Sequence, residues 1–302
     1  MDNQEFLRKW HEDENIWWDE HGEYMTFQWK LNPLLNQIIR SDLESDFTEF
    51  LFKPEGNLLD LGCGSGWLSL HFAEKGMSVL GIDFSQEQIE AANKLKLTKN
   101  LTNAAFECCD LVHWDCGKYR EEFDSVLIYA FLHHLPPVEI NEILKKVEYV
   151  VKQGGRVYIY EPIIESSAQA DIYLSLLDYV LRLCQGLLLR FPNWLGLWDA
   201  RYRKEIARGY SMASPHESPV EFDLIGKSSF KSMTVEDVKG WHLFSIGFAM
   251  QTMSLQESIR GIYVQFARFW QWIDNALFKI FDWKDFSRPQ RFILCGVKLV
   301  KR

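Results

Sequence analysis

The feature that most constrains this chain is the segment Asn57-Leu-Leu-Asp-Leu-Gly-Cys-Gly-Ser-Gly66, where a short apolar run breaks directly into three alternate glycines. An apolar run without polar alternation reads as a parallel strand buried on both faces. Glycines between such a strand and a helix supply backbone angles closed to other residues and let main chain approach a ligand closely. A parallel strand must return through a crossover, usually a helix, so the segment commits the downstream chain to an α/β sheet.

The required alternation continues along the chain. Met77 to Ile82 reads as a second strand, Ser85 as the N-cap of a helix through Ala91 and Ala92, Ala104 to Cys108 as a third strand, and Phe123 to Tyr129 as a fourth. Pro136 and Pro137 open the next helix, Gly154-Gly155 closes it, and Arg156 to Tyr160 makes strand five. Beyond Pro162 the rhythm gives way to helical and irregular sequence. Thr234 to Val238 reads as a helix start, Trp241 to Ile246 as strand six, Leu255 to about Phe281 as a helical stretch, and Gln290 to Leu299 as a long last strand.

The expected architecture is a Rossmann-like, doubly wound, mostly parallel seven-stranded sheet with the last strand antiparallel. A helical N-terminal cap (1–54) precedes the core rather than joining it. The cofactor-binding core is 55–163, a helical lid or substrate insert is 164–233, and 234–302 returns to the core with a helical insert at about 250–288.

Spacing discriminates among cofactors. The dinucleotide fingerprint GxGxxG asks for a small residue where this chain has Trp67. The segment Leu58-Leu-Asp-Leu-Gly-Cys-Gly-Ser-Gly66 instead resembles motif I of the class I (Rossmann-like) S-adenosylmethionine-dependent methyltransferases. The likeness extends to Gly81-Ile-Asp-Phe-Ser85, Cys109-Asp110, Phe123-Asp124 and Gly154-Gly155, in the family's order. It implies S-adenosyl-L-methionine as cofactor, with Asp60, Gly62, Cys63, Gly64 and Gly66 around it. It further implies Asp83 on both ribose hydroxyls, Asp110 on the adenine amino group, Leu111 and Phe84 as walls of the base pocket, and Tyr129 near the methionyl end. An ionised carboxylate suits the ribose because it offers two acceptor oxygens. Asp60 either orders the loop or meets the methionine ammonium.

After strand four, Ala130-Phe-Leu-His-His-Leu135 resembles the turn with paired histidines of many small-molecule members. His133 or His134 is either a general base or a group that packs the cofactor and holds a loop. Two adjacent histidines with no further ligand at helical spacing make a poor metal site, so no metal is expected. In Ser214-Pro-His-Glu-Ser-Pro219, His216 and Glu217 lie between prolines, near Arg208 and Tyr210. The segment is either a stiffened lid over the acceptor or a plain surface loop. Glu161, after strand five, is a further candidate for the acceptor pocket.

Charge narrows the partners. A net charge of -9 argues against a nucleic-acid binder, which needs a basic face. The six cysteines form no CxxC pair and follow no secretory leader, so a cytoplasmic, reducing setting is expected. The basic run from Arg182 to Arg208 fits a phosphate-bearing acceptor or an anionic surface. In 174–198 the run of Leu176, Leu177, Val180, Leu181, Leu183, Leu187, Leu188 and Leu189 is broken by Asp178, Arg182 and Arg190, which fits a core or cap helix or one lying at a bilayer surface.

The reaction expected is methyl transfer to O or N of a small-molecule, lipid-linked or saccharide acceptor. The alternatives are a protein or peptide methyltransferase and an NAD-dependent oxidoreductase on a Rossmann fold. The oligomeric state is open.

Overall fold

A computed structural model describes residues 3–31, 33–166, 172–207, 214–228, 230–245, 248, 255–286 and 293–302. Two long helices, α1 (Asn3–Leu31) and α2 (Pro33–Leu51), precede the sheet. The β/α alternation comprises β1 (Asn57–Leu61), α3 (Trp67–Glu74), β2 (Ser78–Asp83), α4 (Gln86–Thr98), β3 (Ala104–Cys108), β4 (Phe123–Tyr129), α5 (Pro137–Val150) and β5 (Val151–Ile164). Then come α6 (Ile172–Trp194), α7 (Ala200–Ala207), β6 (Val220–Glu221), β7 (Met233–His242), α8 (Glu257–Ile280), the short α9 (Trp283–Phe286) and β8 (Ile293–Lys301).

The strand order is β3-β2-β1-β4-β5-β8-β7, with β6 pairing in parallel to the end of β5. All pairs are parallel except those of β8, which runs antiparallel to both β5 and β7. The order reverses between β1 and β4, and in doubly wound sheets ligands bind at the carboxyl ends of strands beside such a reversal. Leu58, Leu59, Leu127, Ile128, Val157 and Ile159 are fully buried, as expected of strands covered on both faces.

Four expectations are corrected. Among the described residues the sheet has eight strands rather than seven, because Val220 and Glu221 add a short one that periodicity could not reveal. Thr234 to Val238 is strand, not a helix start, and the strand ends at His242 rather than running over Trp241 to Ile246: β7 pairs with β8 over Met233–His242, and that pairing overrides the local pattern. Gly154-Gly155 lies inside β5 rather than closing α5, which ends at Val150; Gly154 takes φ 72 within the strand. The N-terminal helices also do not simply precede the core. Leu43, Phe47 and Leu51 of α2 are buried against Tyr158, Phe72 and Leu127, and truncating Phe47 to Ala would cost about 3–5 kcal/mol.

Candidate active site at the sheet's carboxyl edge

At the end of β1 the loop crosses β2, with the amides of Gly62 and Cys63 donating to the Ile82 carbonyl at 2.9 and 3.1 Å. Gly62, Gly64 and Gly66 all have positive φ, at 70, 50 and 72°. A Cβ on Gly62 would lie 2.4 Å from the Phe131 ring and one on Gly66 2.7 Å from Phe106, so both also need to be small for packing. Gly64 differs: its Cβ direction is open, with Gln88 Oε1 the nearest atom at 3.7 Å. Trp67 begins α3 and packs edge-on to Tyr129 at 5.9 Å.

Two buried carboxylates back this loop. Asp83, at the end of β2, accepts the Gly64 amide at 2.8 Å and the Ser85 amide at 3.0 Å, while Ser85 caps α4 through the Gln88 amide. Asp60 accepts the Ser69 hydroxyl at 2.5 Å. Burial pushes both acids upward, and with the charge of Asp83 adding to it the Asp60 carboxyl reaches about 7. Cys63 is buried in the same loop and its thiol is pushed up by burial, so it stays neutral.

Phe84 follows Asp83 directly and is half-buried. Asp110 stands at the turn after β3, where it accepts the Val112 amide at 2.9 Å and meets His113 Nδ1 at 2.8 Å; Leu111 beside it is buried. From α5, Lys146 Nζ donates to the carbonyls of Leu111, Val112 and Trp114, which fixes that turn. Tyr129 ends β4 and stacks on Tyr160 at 4.7 Å.

The turn after β4 begins at Ala130 with φ 52 and seats Phe131 against Gly62, so the histidine turn rests directly on the glycine loop. Glu161, fully buried, holds this turn: one oxygen accepts the amides of Phe131 and Leu132 at 2.8 and 2.7 Å, the other meets His133 Nδ1 at 2.7 Å. On its far side His133 Nε2 faces Glu217 at 3.8 Å. Burial pulls the His133 pKa down, but the bond and charge of Glu161, then Glu217, outweigh it and hold the group at about 9. His134 goes the other way, lowered by burial and by the neighbouring His133.

The segment 214–219 closes on this turn. Ser214 Oγ pairs with His134 Nδ1 at 2.9 Å and the Ser218 amide donates to the His133 carbonyl at 2.9 Å. Behind it stands α1: Glu14 Oε2 lies 3.2 Å from His134 Nδ1, and the Trp10 indole donates to the His134 carbonyl at 2.7 Å. His216 turns away from His133. It stacks on Trp10 at 4.4 Å and bonds Asp13 at 3.0 Å. Arg208 and Tyr210 lie outside the described residues.

The structure therefore brings together Gly62, His133, His134 and Glu217, with Glu161 behind them. Sequence reasoning missed Trp10, Glu14 and Ser214, and also Lys146. No local spacing ties α1 to residues more than a hundred positions away. The first 25 residues, with eight acidic side chains against Arg8 and Lys9, were the one available signal.

His133, His134 and Glu217 each offer a ligand atom within 4.8 Å of the others. Neighbouring ligands around a tetrahedral metal stand closer, at about 3.4 Å for bonds of about 2.1 Å. The arrangement as it stands is an ion-paired hydrogen-bond network.

A family model described as a methyltransferase domain matches residues 58–155. Ubiquinone biosynthesis O-methyltransferase of Proteus mirabilis (strain HI4320) is 29% identical over 142 residues, which are 47% of this chain and 53% of that protein. The enzyme of the same description from Pelagibacter ubique (strain HTCC1062) is 28% identical over 166 residues, 52% of this chain and 64% of its own length. The chain thus spans less than two thirds of the length of these curated relatives.

Among solved structures, the [4+2]-cyclase SpnF aligns over 86% of this chain and 80% of its own, with TM-score 0.52 and 15% identity. Geranyl diphosphate C-methyltransferase from Streptomyces coelicolor A3(2) aligns over 87% and 79%, with TM-score 0.50 and 10% identity. At such identities these likenesses bear on the fold alone.

Proposed function

We propose, on the premise that its core belongs to the class I S-adenosylmethionine-dependent methyltransferase family, that this chain methylates an oxygen of a small-molecule, lipid-linked or saccharide acceptor, with nitrogen as the second choice. One observation carries the reading. Gly64, whose Cβ direction is open, donates its amide to buried Asp83, and buried Asp60 stands at the start of the same loop; among the described residues the partners of the two acids are a hydroxyl and backbone amides rather than cations. Buried acids so placed favour a ligand that brings hydroxyl donors and positive charge.

When bound, the cofactor supplies an already activated methyl group on a sulfonium. Asp83 would hold the ribose, Asp110 with Leu111 and Phe84 the adenine, and the loop Gly62-Cys63-Gly64 with Gly66, Asp60 and Tyr129 the methionyl end. The remaining work of the protein is to orient an acceptor and remove its proton. His133 suits this because Glu161 fixes its Nδ1 and leaves Nε2 toward Glu217. Held at about 9, the imidazole is protonated at neutral pH, so its base form grows as the medium turns alkaline. Glu217 orients the acceptor beside it, while His134 and His216 hold the covering segment onto α1. The O-methyl transfer named for the ubiquinone-biosynthesis relatives is of the same class.

With this reading go the division into cap (1–54), core (55–163), lid insert (164–233) and returning segment (234–302), and a peripheral membrane contact through 174–198. Among the described residues, no helix is long and apolar enough to cross a membrane. Calorimetry of the folded chain with S-adenosylmethionine and S-adenosylhomocysteine, followed by label transfer to candidate hydroxyl acceptors, tests the proposal. Absence of heat with both ligands, or saturable NADH binding instead, would sink it.

A further inference from the structure

α6 and α8 meet where the Tyr263 hydroxyl donates to the Leu188 carbonyl, and both touch Phe244, whose carbonyl accepts from Gln185 of α6 and whose ring packs on Trp270 of α8. Each helix has an inner face that packs into the protein, through Leu174, Leu181 and Leu188 on one and Val264, Ala267 and Trp270 on the other. Each also has an outer face that is apolar and bare. Leu176, Leu183 and Leu187 of α6 are 63, 50 and 57% exposed, and Ile262, Phe269 and Trp272 of α8 are 62, 50 and 63% exposed. These positions repeat at helical spacing, so each forms a continuous stripe.

Charge distinguishes this face from the rest of the molecule. The chain as a whole carries -9. Yet the described acidic side chains of the two helices, Asp178 and Asp274, are buried, and the charged side chains that they expose are Arg182, Arg268 and Lys279. Arg182 is paired with Asp178 at 2.8 Å, which leaves Arg268 and Lys279 as the described exposed cations beside the apolar and aromatic stripes, an arrangement matched to an anionic bilayer. Aromatic rings suit the interfacial layer and arginine and lysine its phosphates. Each helix is roughly 35 Å long at the usual rise per residue, so it can lie along the surface, and neither is apolar enough to cross it.

We infer that the paired outer faces of α6 and α8 dock the protein onto an anionic membrane surface. The inference extends the contact from 174–198 to a two-helix face and does not depend on methyl transfer. Vesicle flotation of the full chain tests it, with phosphatidylcholine alone and mixed with phosphatidylglycerol. The expected result is co-flotation with the mixed vesicles, and roughly tenfold less with phosphatidylcholine or at high salt.

A Leu183→Glu, Trp272→Glu double variant should lose partitioning by roughly tenfold or more, and Arg268→Glu with Lys279→Glu should abolish the preference for anionic lipid. Circular dichroism and homocysteine-cofactor affinity on the same preparations separate misfolding from lost docking. They also separate this inference from the enzymatic one, since a chain can float without binding the cofactor and the reverse. Wild-type protein that stays with neither vesicle, or a concentration-dependent dimer that both variants dissociate, would overturn it.

Discussion

The two ends of the site hold buried carboxylates on opposite electrostatic terms. At the glycine loop, Asp60 and Asp83 lean on the Ser69 hydroxyl and on backbone amides, and burial leaves both raised. At the histidine turn, Glu161 is as deeply buried but carries its own cation, the His133 imidazolium, alongside two amides. At one end burial suppresses ionisation, and an incoming cation would restore it. The other has neutralised itself and stores its reactivity as a movable proton.

The strongest way to break that contrast is Glu161→Gln. It keeps a carbonyl for the amides of Phe131 and Leu132 but removes the charge that holds His133 near 9. The expected loss in kcat/KM is about a hundredfold or more, with the alkaline rise of the pH profile moved to lower pH. A merely structural Glu161 would lower activity without moving the profile. At the other end, Asp83→Ala should weaken cofactor binding by roughly thirty- to hundredfold in calorimetry, the worth of a pair of charge-assisted hydrogen bonds. Unchanged affinity would remove its ribose role.

Asp60 sharpens the comparison through pH. Its carboxyl is raised to about 7, so in the ligand-free protein it opposes stability increasingly as pH rises from the usual carboxyl range through that value. A cationic ligand favours the ionised form. Cofactor affinity should therefore fall below about pH 7, by at most about tenfold per unit, while ligand-free stability moves the other way. Titrations across that range in the wild type and in Asp60→Asn decide it: the variant should be flat, and a flat wild type would discard the idea.

The same two regions differ in how far they could be read in sequence. Asp60, the three glycines, Asp83 and Asp110 lie at the carboxyl ends of consecutive strands, which periodicity locates, and the resemblance to the methyltransferase motifs, itself carried by short local segments, implied their roles. The histidine site is assembled from Trp10 and Glu14 on α1, the turn 131–134, Glu161 on β5 and the segment 214–218. Its pieces are joined by tertiary contacts to which spacing is blind. His216 shows the limit: the pattern left its segment as either a lid or a surface loop, and its partner Asp13 decides which way the ring points. The strand at Met233–His242 escaped for a related reason, since its identity is set by pairing with β8 rather than by its own pattern.

A fourth carboxylate, at the amino ends of the strands, serves as the control for both ends. Asp124 accepts the Asn57 amide at 3.0 Å and pairs with Lys53 and Lys152. Burial pushes it up, but the Asn57 amide, Lys152 and Lys53 outweigh that and hold it at about 2. Because its folded value lies below the ordinary one, its stabilisation is present above about pH 4 and is lost as pH falls through about 2. Lys53 and Lys152 are well exposed, so solvent screening limits the effect, and Asp124→Asn should cost about 1 kcal/mol at neutral pH. Denaturant melts should show that loss shrinking with added salt and vanishing in acid, with cofactor affinity and the kcat/KM profile untouched. A shift in either would mean that the strand ends at the two edges of the sheet are coupled, and that the contrast between Asp60 and Glu161 is not local.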